Sequence, residues 1–117
     1  MREIKFRAWD GKRYTTDFFI TSEGTVFKPH YDRNAEIVSD FTIEQFTGLH
    51  DKNGKEIYEG DIISGGILAE PCEVMFQESC GRFIAFGVHY KVLAHKFDQF
   101  EVIGNIHENP ELLEVTK

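Results

Sequence analysis

The sequence is poor in cysteine, proline, alanine and long apolar runs, and each shortage excludes a class of structure. Its 117 residues include two cysteines and three prolines, which excludes a disulfide-stapled framework and a proline-rich linker. The scarcity of alanine, without any long stretch of Leu, Ala, Glu and Lys at helical spacing, argues against a helical bundle. No apolar run approaches the ~20 residues that cross a bilayer, and MREIKF at the N-terminus lacks the apolar core of a secretory signal. We therefore expect a cytosolic protein with Cys72 and Cys80 reduced, a bridge across a hairpin being the lesser alternative.

Sequence motifs that carry catalysis or bind metals are missing as well. The cysteines do not form a Cys-x-x-Cys pair, and the spacing of the five histidines does not indicate zinc ligation. Gly65-Gly66 lacks the Lys-Ser/Thr of a phosphate-binding loop, and no Gly-x-Ser-x-Gly segment occurs. Glu59 and Asp61 could divide acid and base roles, but a turn at Gly60 already explains them. We therefore predict no catalytic residue, no metal site and no cofactor.

The charge is negative overall and unevenly distributed. With 20 acidic and 13 basic residues the formal net charge is −7, which opposes binding to nucleic acid and to anionic membranes. Residues 1–13 are nevertheless net positive, and residues 98–117 are net negative. The two ends could neutralise each other within one fold or across a subunit contact. A homo-oligomer is therefore an open alternative to a monomer.

The residues that are abundant favour β-structure. Phenylalanine occurs 11 times and aromatic residues make up 14% of the chain, and large rings pack well on pleated surfaces. Ile4, Phe6 and Ala8 alternate with polar residues, which predicts a first strand with one buried face. Asp10-Gly11 predicts a hairpin turn, and residues 14–20 then form the returning strand.

Later segments of the chain give weaker but similar signals. Residues 35–38 fit either a short strand or a helical turn. A loop or bulge is expected at Gly65-Gly66, with Pro71 marking its end. Helix is expected only as short turns, at residues 109–113 and at residues 95–98, where a plain connection is the alternative. Further strands are predicted at residues 25–27, 42–49, 62–63, 73–76 and 82–86, and residues 88–93 and 100–106 supply two more apolar runs.

The stretch Phe46–Ile63, with the sequence FTGLHDKNGKEIYEGDII, carries two turn signals between three apolar segments. Asn53-Gly54 predicts a type I′ hairpin turn, because that turn needs positive φ at both central residues. Glu59-Gly60-Asp61 predicts a second chain reversal. The residues that this arrangement directs into a core are Ile57, Ile62 and Ile63.

This stretch, together with MREIKFRAWD at residues 1–10 and EVIGNIHENPELL at residues 101–113, closely resembles the YopX-like proteins of bacteriophages and prophages. The three segments occur in the same order as in that family. The resemblance implies one largely β domain over residues 1–117, with an N-terminal β-hairpin region at residues 1–40 and an SH3-like small β-barrel at residues 41–117. It implies a phage or prophage origin, and it implies no activity.

Basic and aromatic side chains cluster on the first predicted hairpin, which makes this hairpin the candidate interaction site. Small barrels bind single-stranded nucleic acid through such stacking platforms. A packed hairpin with ordinary basic side chains explains the same pattern and agrees better with the negative net charge. The candidate residues are Arg7, Trp9, Lys12, Arg13 and Tyr14.

The expected function is a non-catalytic protein-interaction module of phage or prophage origin, whose partner is a host or phage protein or a second copy of itself. The alternatives are a single-stranded nucleic-acid-binding barrel and, least favoured, a small enzyme. An acidic protein that imitates DNA phosphates is a further idea, for which −7 is a modest charge. A large exposed aromatic patch would favour the interaction module, and a continuous basic groove would favour nucleic acid.

Overall fold

The computed structural model describes residues 4–16, 18–20, 23, 26–28, 36–37, 42–65 and 68–113. Within these ranges the chain forms β-strands and two 3₁₀ helices, Ala94–Gln99 and Pro110–Leu113, which confirms a mostly β fold with helix limited to short turns. In the same part of the chain no helix is long and apolar enough to cross a membrane. The strands are β1 (Phe6–Trp9), β2 (Tyr14–Thr15), β3 (Phe19–Ile20), β4 (Val26–Lys28), β5 (Glu36–Ile37), β6 (Thr42–His50), β7 (Glu56–Tyr58), β8 (Asp61–Gly65), β9 (Leu68–Gln77), β10 (Arg82–Phe86), β11 (Lys91–Leu93) and β12 (Phe100–Asn105).

Two compact units make up the chain: an N-terminal unit, Lys5–Glu44, and a larger unit that combines Met1–Ile4 with Gln45–Lys117. The boundary between them falls inside β6, whose residues 42–44 belong to the N-terminal unit. The organisation into one domain with regions 1–40 and 41–117 stays a prediction.

In the N-terminal unit, β1 and β2 form an antiparallel hairpin in which Trp9 pairs with Tyr14. The predicted turn is present, since the Asp10 N–H donates to the Arg13 carbonyl at 3.1 Å. Strands β3, β4 and β5 form a separate antiparallel sheet. The ambiguous segment at residues 35–38 therefore contains a strand, β5, and not a helical turn.

Two details of the N-terminal prediction are wrong. The returning strand does not run through residues 14–20, because β2 ends at Thr15 and β3 begins only at Phe19. The predicted buried face is also incomplete: Ala8 is buried, whereas Ile4 is 67% and Phe6 42% exposed. Ladder pairing with β2 starts at Ala8, so β2 does not extend alongside the earlier apolar positions.

The larger unit is built on a five-stranded antiparallel sheet with the order β11-β10-β9-β8-β12. Its register shifts between Ile63 and Gly65 on β8 and between Val102 and Gly104 on β12. Such bulges bend the strands and increase the twist, and the sheet curls into a half-barrel. The predicted small, SH3-like barrel is confirmed in this form.

The core of the larger unit is built from side chains of this sheet, of β7 and of the first 3₁₀ helix. Ile57, Ile62 and Ile63 are completely buried, as predicted, and Phe97 from the first 3₁₀ helix is also completely buried. Burying a side chain of this kind contributes about 1.5–3 kcal/mol relative to leaving it in water. The core cluster consists of Ile57, Ile63, Cys72, Val74, Phe83, Ala85, Val92, Phe97 and Phe100.

The hairpin predicted around Asn53-Gly54 is present between β6 and β7, but its turn lies one residue earlier than predicted. The Gly54 N–H donates to the Asp51 carbonyl at 3.0 Å, and the Asp51 N–H donates to the Lys55 carbonyl at 2.8 Å. The central residues of the turn are therefore Lys52 and Asn53, and Gly54 follows with φ = 85°. This pattern is a three-residue loop with a glycine bulge, not a two-residue type I′ turn.

The side chain of Asp51 joins this hairpin to β12. One carboxylate oxygen accepts the N–H groups of Asn53 and Lys55 at 2.8 and 2.9 Å, and the other accepts the Val102 N–H at 3.0 Å. The Lys52 N–H adds a bond to the Phe100 carbonyl at 2.9 Å. Burial raises the pKa of Asp51, but the bonds from Val102, Lys55 and Asn53 outweigh it and hold this pKa below its ordinary value of 3.8.

Pro71 lies inside β9, and of the two predicted alternatives, a loop or a bulge, the strand pairing here shows a bulge. It falls where the register of β8 against β9 shifts, between the pairs Ile63 with Cys72 and Gly65 with Leu68. Because a bulge leaves a backbone group outside the regular ladder, a proline without an N–H is tolerated there.

Replacing Gly54 by valine should lower the free energy of unfolding by about 1–3 kcal/mol, because a β-branched side chain strongly disfavours a φ of +85°. No atom lies within 4 Å of the position that a Cβ would take, so the cost is conformational and not steric. Urea denaturation measures it. Gly54→Asn is the matched control, since asparagine tolerates positive φ, and equal stability of the valine variant and wild type would refute the turn assignment.

Replacing Asp51 by asparagine should lower the stability by about 1–3 kcal/mol at pH 7, because an amide cannot accept three N–H donors as the carboxylate does. The exposed Asp98 gives the control Asp98→Asn. Since folding lowers the pKa of Asp51, its contribution is complete above pH ~4 and disappears as the pH falls through the lowered pKa. Denaturation at a series of pH values should show that the difference in free energy of unfolding between wild type and Asp51→Asn becomes smaller in acid. A difference that grows in acid would contradict this role of Asp51.

Candidate interaction site

The structure divides the five predicted interaction residues into two groups. Arg7, Trp9 and Tyr14 are half-buried on β1 and β2, whereas Lys12 and Arg13 are exposed in the turn. The N–H groups of Lys12 and Arg13 donate to the Asp10 carboxylate at 2.8 and 2.9 Å, which fixes the backbone of the turn and leaves both cationic side chains in solvent.

Buried Glu44 binds the polar side-chain atoms of Arg7 and Tyr14. One of its carboxylate oxygens accepts Arg7 Nε at 2.9 Å and the Tyr14 hydroxyl at 3.0 Å, and Arg7 Nη2 lies 2.9 Å from the same oxygen. The guanidinium also lies 3.9 Å above the centre of the Tyr14 ring, and Trp9 packs against that ring edge to face at 5.0 Å. The charge of Arg7 and one face of Tyr14 are thus used inside the unit, so a nucleic-acid base cannot stack on that face without displacing Arg7.

A groove in the larger unit is a second candidate for the interaction site, and no motif of the sequence predicts it. It has a volume of about 280 Å³, which is just below the ~300–1,000 Å³ typical of ligand pockets. A groove of this size accommodates one or two side chains better than a large cofactor. We call it the Phe76 groove, and its lining residues are Thr47, Gly48, Leu49, Phe76, Gly81, Arg82, Phe83 and Ala94.

An aromatic pair forms the apolar part of the Phe76 groove. Phe76 on β9 and Phe83 on β10 are direct cross-strand partners, and their rings meet edge to face with centres 5.1 Å apart. Phe83 is buried in the core, whereas 42% of Phe76 is exposed. Phe76 is therefore held in place by a buried neighbour while its ring stays accessible, which is typical of an anchor for a binding partner.

The opposite wall of the groove comes from an irregular part of β6. Pairing with β7 jumps from Phe46 to His50, and Gly48 between them has φ = 86°. The Thr47 hydroxyl donates to the Ile57 carbonyl at 2.7 Å and accepts the Leu49 N–H at 3.1 Å. The hydroxyl thereby stabilises the bulge, and the wall is bare backbone at Gly48.

No local sequence pattern distinguishes the exposed ring of this groove from a core residue. In the apolar run Val74-Met75-Phe76, Val74 and Phe76 point to the same side of β9, which is the core side. Val74 is completely buried, but Phe76 on the same side is not. The alternation along β9 therefore does not predict that the ring of Phe76 stays accessible.

A third cluster surrounds the turn between β10 and β11. Glu70 accepts the His89 N–H at 2.9 Å and contacts His89 Nδ1 at 2.8 Å, and these bonds from His89 lower the pKa of Glu70. Burial, with a contribution from the Glu70 charge, raises the pKa of the nearby Cys72 thiol. A thiol with a raised pKa is a poor nucleophile, so this cluster stabilises a turn and is not an activated Cys-His pair.

Two further carboxylates near the second chain reversal, Glu59 and Asp61, also accept backbone hydrogen bonds. Glu59 accepts the Gln45 N–H at 2.8 Å, and Asp61 accepts the Tyr58 N–H at 2.8 Å. Asp61 thus bonds to a backbone group three residues upstream. In the described part of the chain no group of three or more His, Cys, Asp or Glu side chains is arranged to hold a metal ion, and Cys72 and Cys80 are free thiols.

Two solved structures are similar to this chain over nearly its whole length. The crystal structure of protein EF1440 from Enterococcus faecalis shares 31% sequence identity and a TM-score of 0.70, covering 97% of this chain and 100% of EF1440. Protein YopX from Bacillus subtilis shares 25% identity and a TM-score of 0.65, and each chain is covered completely. A comparison with curated proteins gives no match. The family model for the YopX protein matches residues 5–114, and this chain therefore belongs to the YopX family.

Proposed function

We propose that this YopX-family protein is a non-catalytic protein-interaction module of phage or prophage origin that acts in the bacterial cytoplasm. Its partner is a host or phage protein, which it contacts through the Phe76 groove. The observation that carries the proposal is the exposed ring of Phe76, which packs against buried Phe83 at the edge of a groove with an otherwise largely apolar lining. Aromatic residues held in this way are enriched among the energetically dominant residues of protein interfaces.

The use of the acidic side chains supports a non-catalytic role. Asp51, Asp61, Glu59 and Glu70 each accept at least one backbone N–H, and Glu44 is paired with Arg7. A carboxylate that is needed to hold a turn or a strand is poorly placed to exchange protons with a substrate. The phage or prophage origin is supported by the resemblance of the three segments at residues 1–10, 46–63 and 101–113.

Single-stranded nucleic-acid binding is the second candidate, and the observation in its favour is the pair of exposed cations at the tip of the first hairpin, Lys12 and Arg13. The net charge of −7 opposes it, because the field of the whole protein repels phosphate. The inward pairing of Arg7 and Tyr14 with Glu44 also reduces the platform on which bases could stack.

The proposal predicts that binding depends on Phe76 and not on its neighbour Met75. These residues are 42% and 43% exposed and point to opposite faces of β9, so Met75→Ser is a matched control for Phe76→Ser. Immobilised wild-type protein should capture a protein from nuclease-treated lysates of phage-infected bacteria. The captured protein, once identified and purified, should bind Phe76→Ser about tenfold more weakly or worse in calorimetry, and should bind Met75→Ser like wild type.

Three results would count against the proposal. Equal affinity of the captured protein for wild type and Phe76→Ser would remove the groove from the interface. Capture of nucleic acid and no protein from a parallel lysate that has not been treated with nuclease would favour single-stranded nucleic-acid binding. Turnover of a substrate by the purified protein would contradict the non-catalytic role. Capture of the protein's own chain, together with dimers in sedimentation velocity that Phe76→Ser dissociates, would identify the partner as a second copy.

A further inference from the structure

The charges around the Phe76 groove indicate what kind of segment it accepts. Of the eight lining residues, Arg82 is the one that carries a charge, and the side chain is exposed. Within the part of the chain that the structure describes, no acidic side chain is paired with this guanidinium. A protein with a net charge of −7 thus presents an unneutralised cation beside the exposed aromatic ring of Phe76.

Arg82 and Phe76 lie close enough to contact one short segment. Arg82 begins β10 and pairs with Gln77, and the adjacent cross-strand pair is Phe83 with Phe76. Successive residues of a strand point to opposite faces, but Arg82 lies at the end of β10 and lines the same groove as Phe76 and Phe83, so its long side chain is within reach of a peptide bound there. The bare backbone of the wall at Gly48 leaves room for the main chain of such a peptide.

We propose that the Phe76 groove recognises an extended peptide segment in which an aromatic or aliphatic side chain stands next to Asp or Glu. The apolar side chain packs on Phe76 and Phe83, and the carboxylate pairs with Arg82, whose planar guanidinium presents two parallel N–H donors. This inference rests on the proposed function and names the chemistry of the partner at that site. A nucleic acid fits less well, because the groove offers one cation where a phosphate backbone is held by several.

Panning of a displayed library of random peptides against the immobilised full chain tests this inference. Wild type should enrich peptides that place Asp or Glu beside an aromatic or aliphatic residue. Arg82→Met retains the length of the stem but removes the charge, so its selected peptides should keep the apolar residue and lose the acidic preference. Lys91→Met removes an exposed cation of β11 that does not line the groove, and it should select the same peptides as wild type.

A synthetic peptide from the enriched set then gives a quantitative test by fluorescence anisotropy. Changing its Asp or Glu to the amide should weaken binding to wild type roughly five- to tenfold and should leave binding to Arg82→Met unchanged. Equal affinity of the acid and amide peptides for wild type would overturn the inference. If both peptides then still depended on Phe76, the proposed interaction module would stand without its acidic preference.

Two other outcomes are also decisive. Failure of wild type to enrich any peptide would overturn the peptide inference, while capture of a folded partner that depends on Phe76 would leave the proposed function in place. Binding of a labelled single-stranded oligonucleotide that Arg82→Met abolishes would assign the groove to nucleic acid instead. Thermal denaturation of each variant confirms that it is folded, which the exposure of Arg82 and Lys91 leads us to expect.

Discussion

The larger unit depends on the buried carboxylate of Asp51. It accepts two N–H groups of its own turn and a third from Val102, which is 51 residues further along the chain. The closed turn and the last strand of the sheet are thus joined by one side chain, and the Lys52 N–H reinforces the connection through the Phe100 carbonyl. A charged acceptor with several N–H donors forms shorter and stronger bonds than a neutral one, which suits a single residue to this task.

The Asp51 connection also determines the position of the groove wall. Thr47, Gly48 and Leu49 immediately precede the turn, and Leu49 packs against the core cluster. With the end of the hairpin fixed to β12 and the Thr47 hydroxyl bonded to β7, the irregular part of β6 is restrained at both ends. The groove is then formed before any partner arrives, and a preformed site loses less conformational entropy on binding than one that must order first.

How far the sequence predicts this structure depends on the range of the interactions involved. The hairpin near Asn53-Gly54, the strands of the sheet and the buried isoleucines follow from local patterns, because turn chemistry and alternation act within a few residues. The location of the turn one residue earlier depends on Asp51, whose third partner lies across the sheet. The pairing of Arg7 and Tyr14 with Glu44 was missed for the same reason, since Glu44 lies 30 or more residues away. The groove was missed because exposure of Phe76 depends on where the barrel stays open, which no local pattern encodes.

The Asp51 carboxylate thus holds the β6–β7 hairpin and β12 together as a single unit beside a preformed groove. Amide hydrogen exchange followed by NMR at neutral pH tests it most directly, because it reports the free energy of opening at each N–H. The three amides that donate to Asp51 should be protected from exchange and should open with the same free energy. They belong to Asn53, Lys55 and Val102. Rapid exchange at Val102 while the two turn amides stay protected would show that the hairpin and β12 open independently. It would contradict the conclusion that Asp51 joins them into one unit.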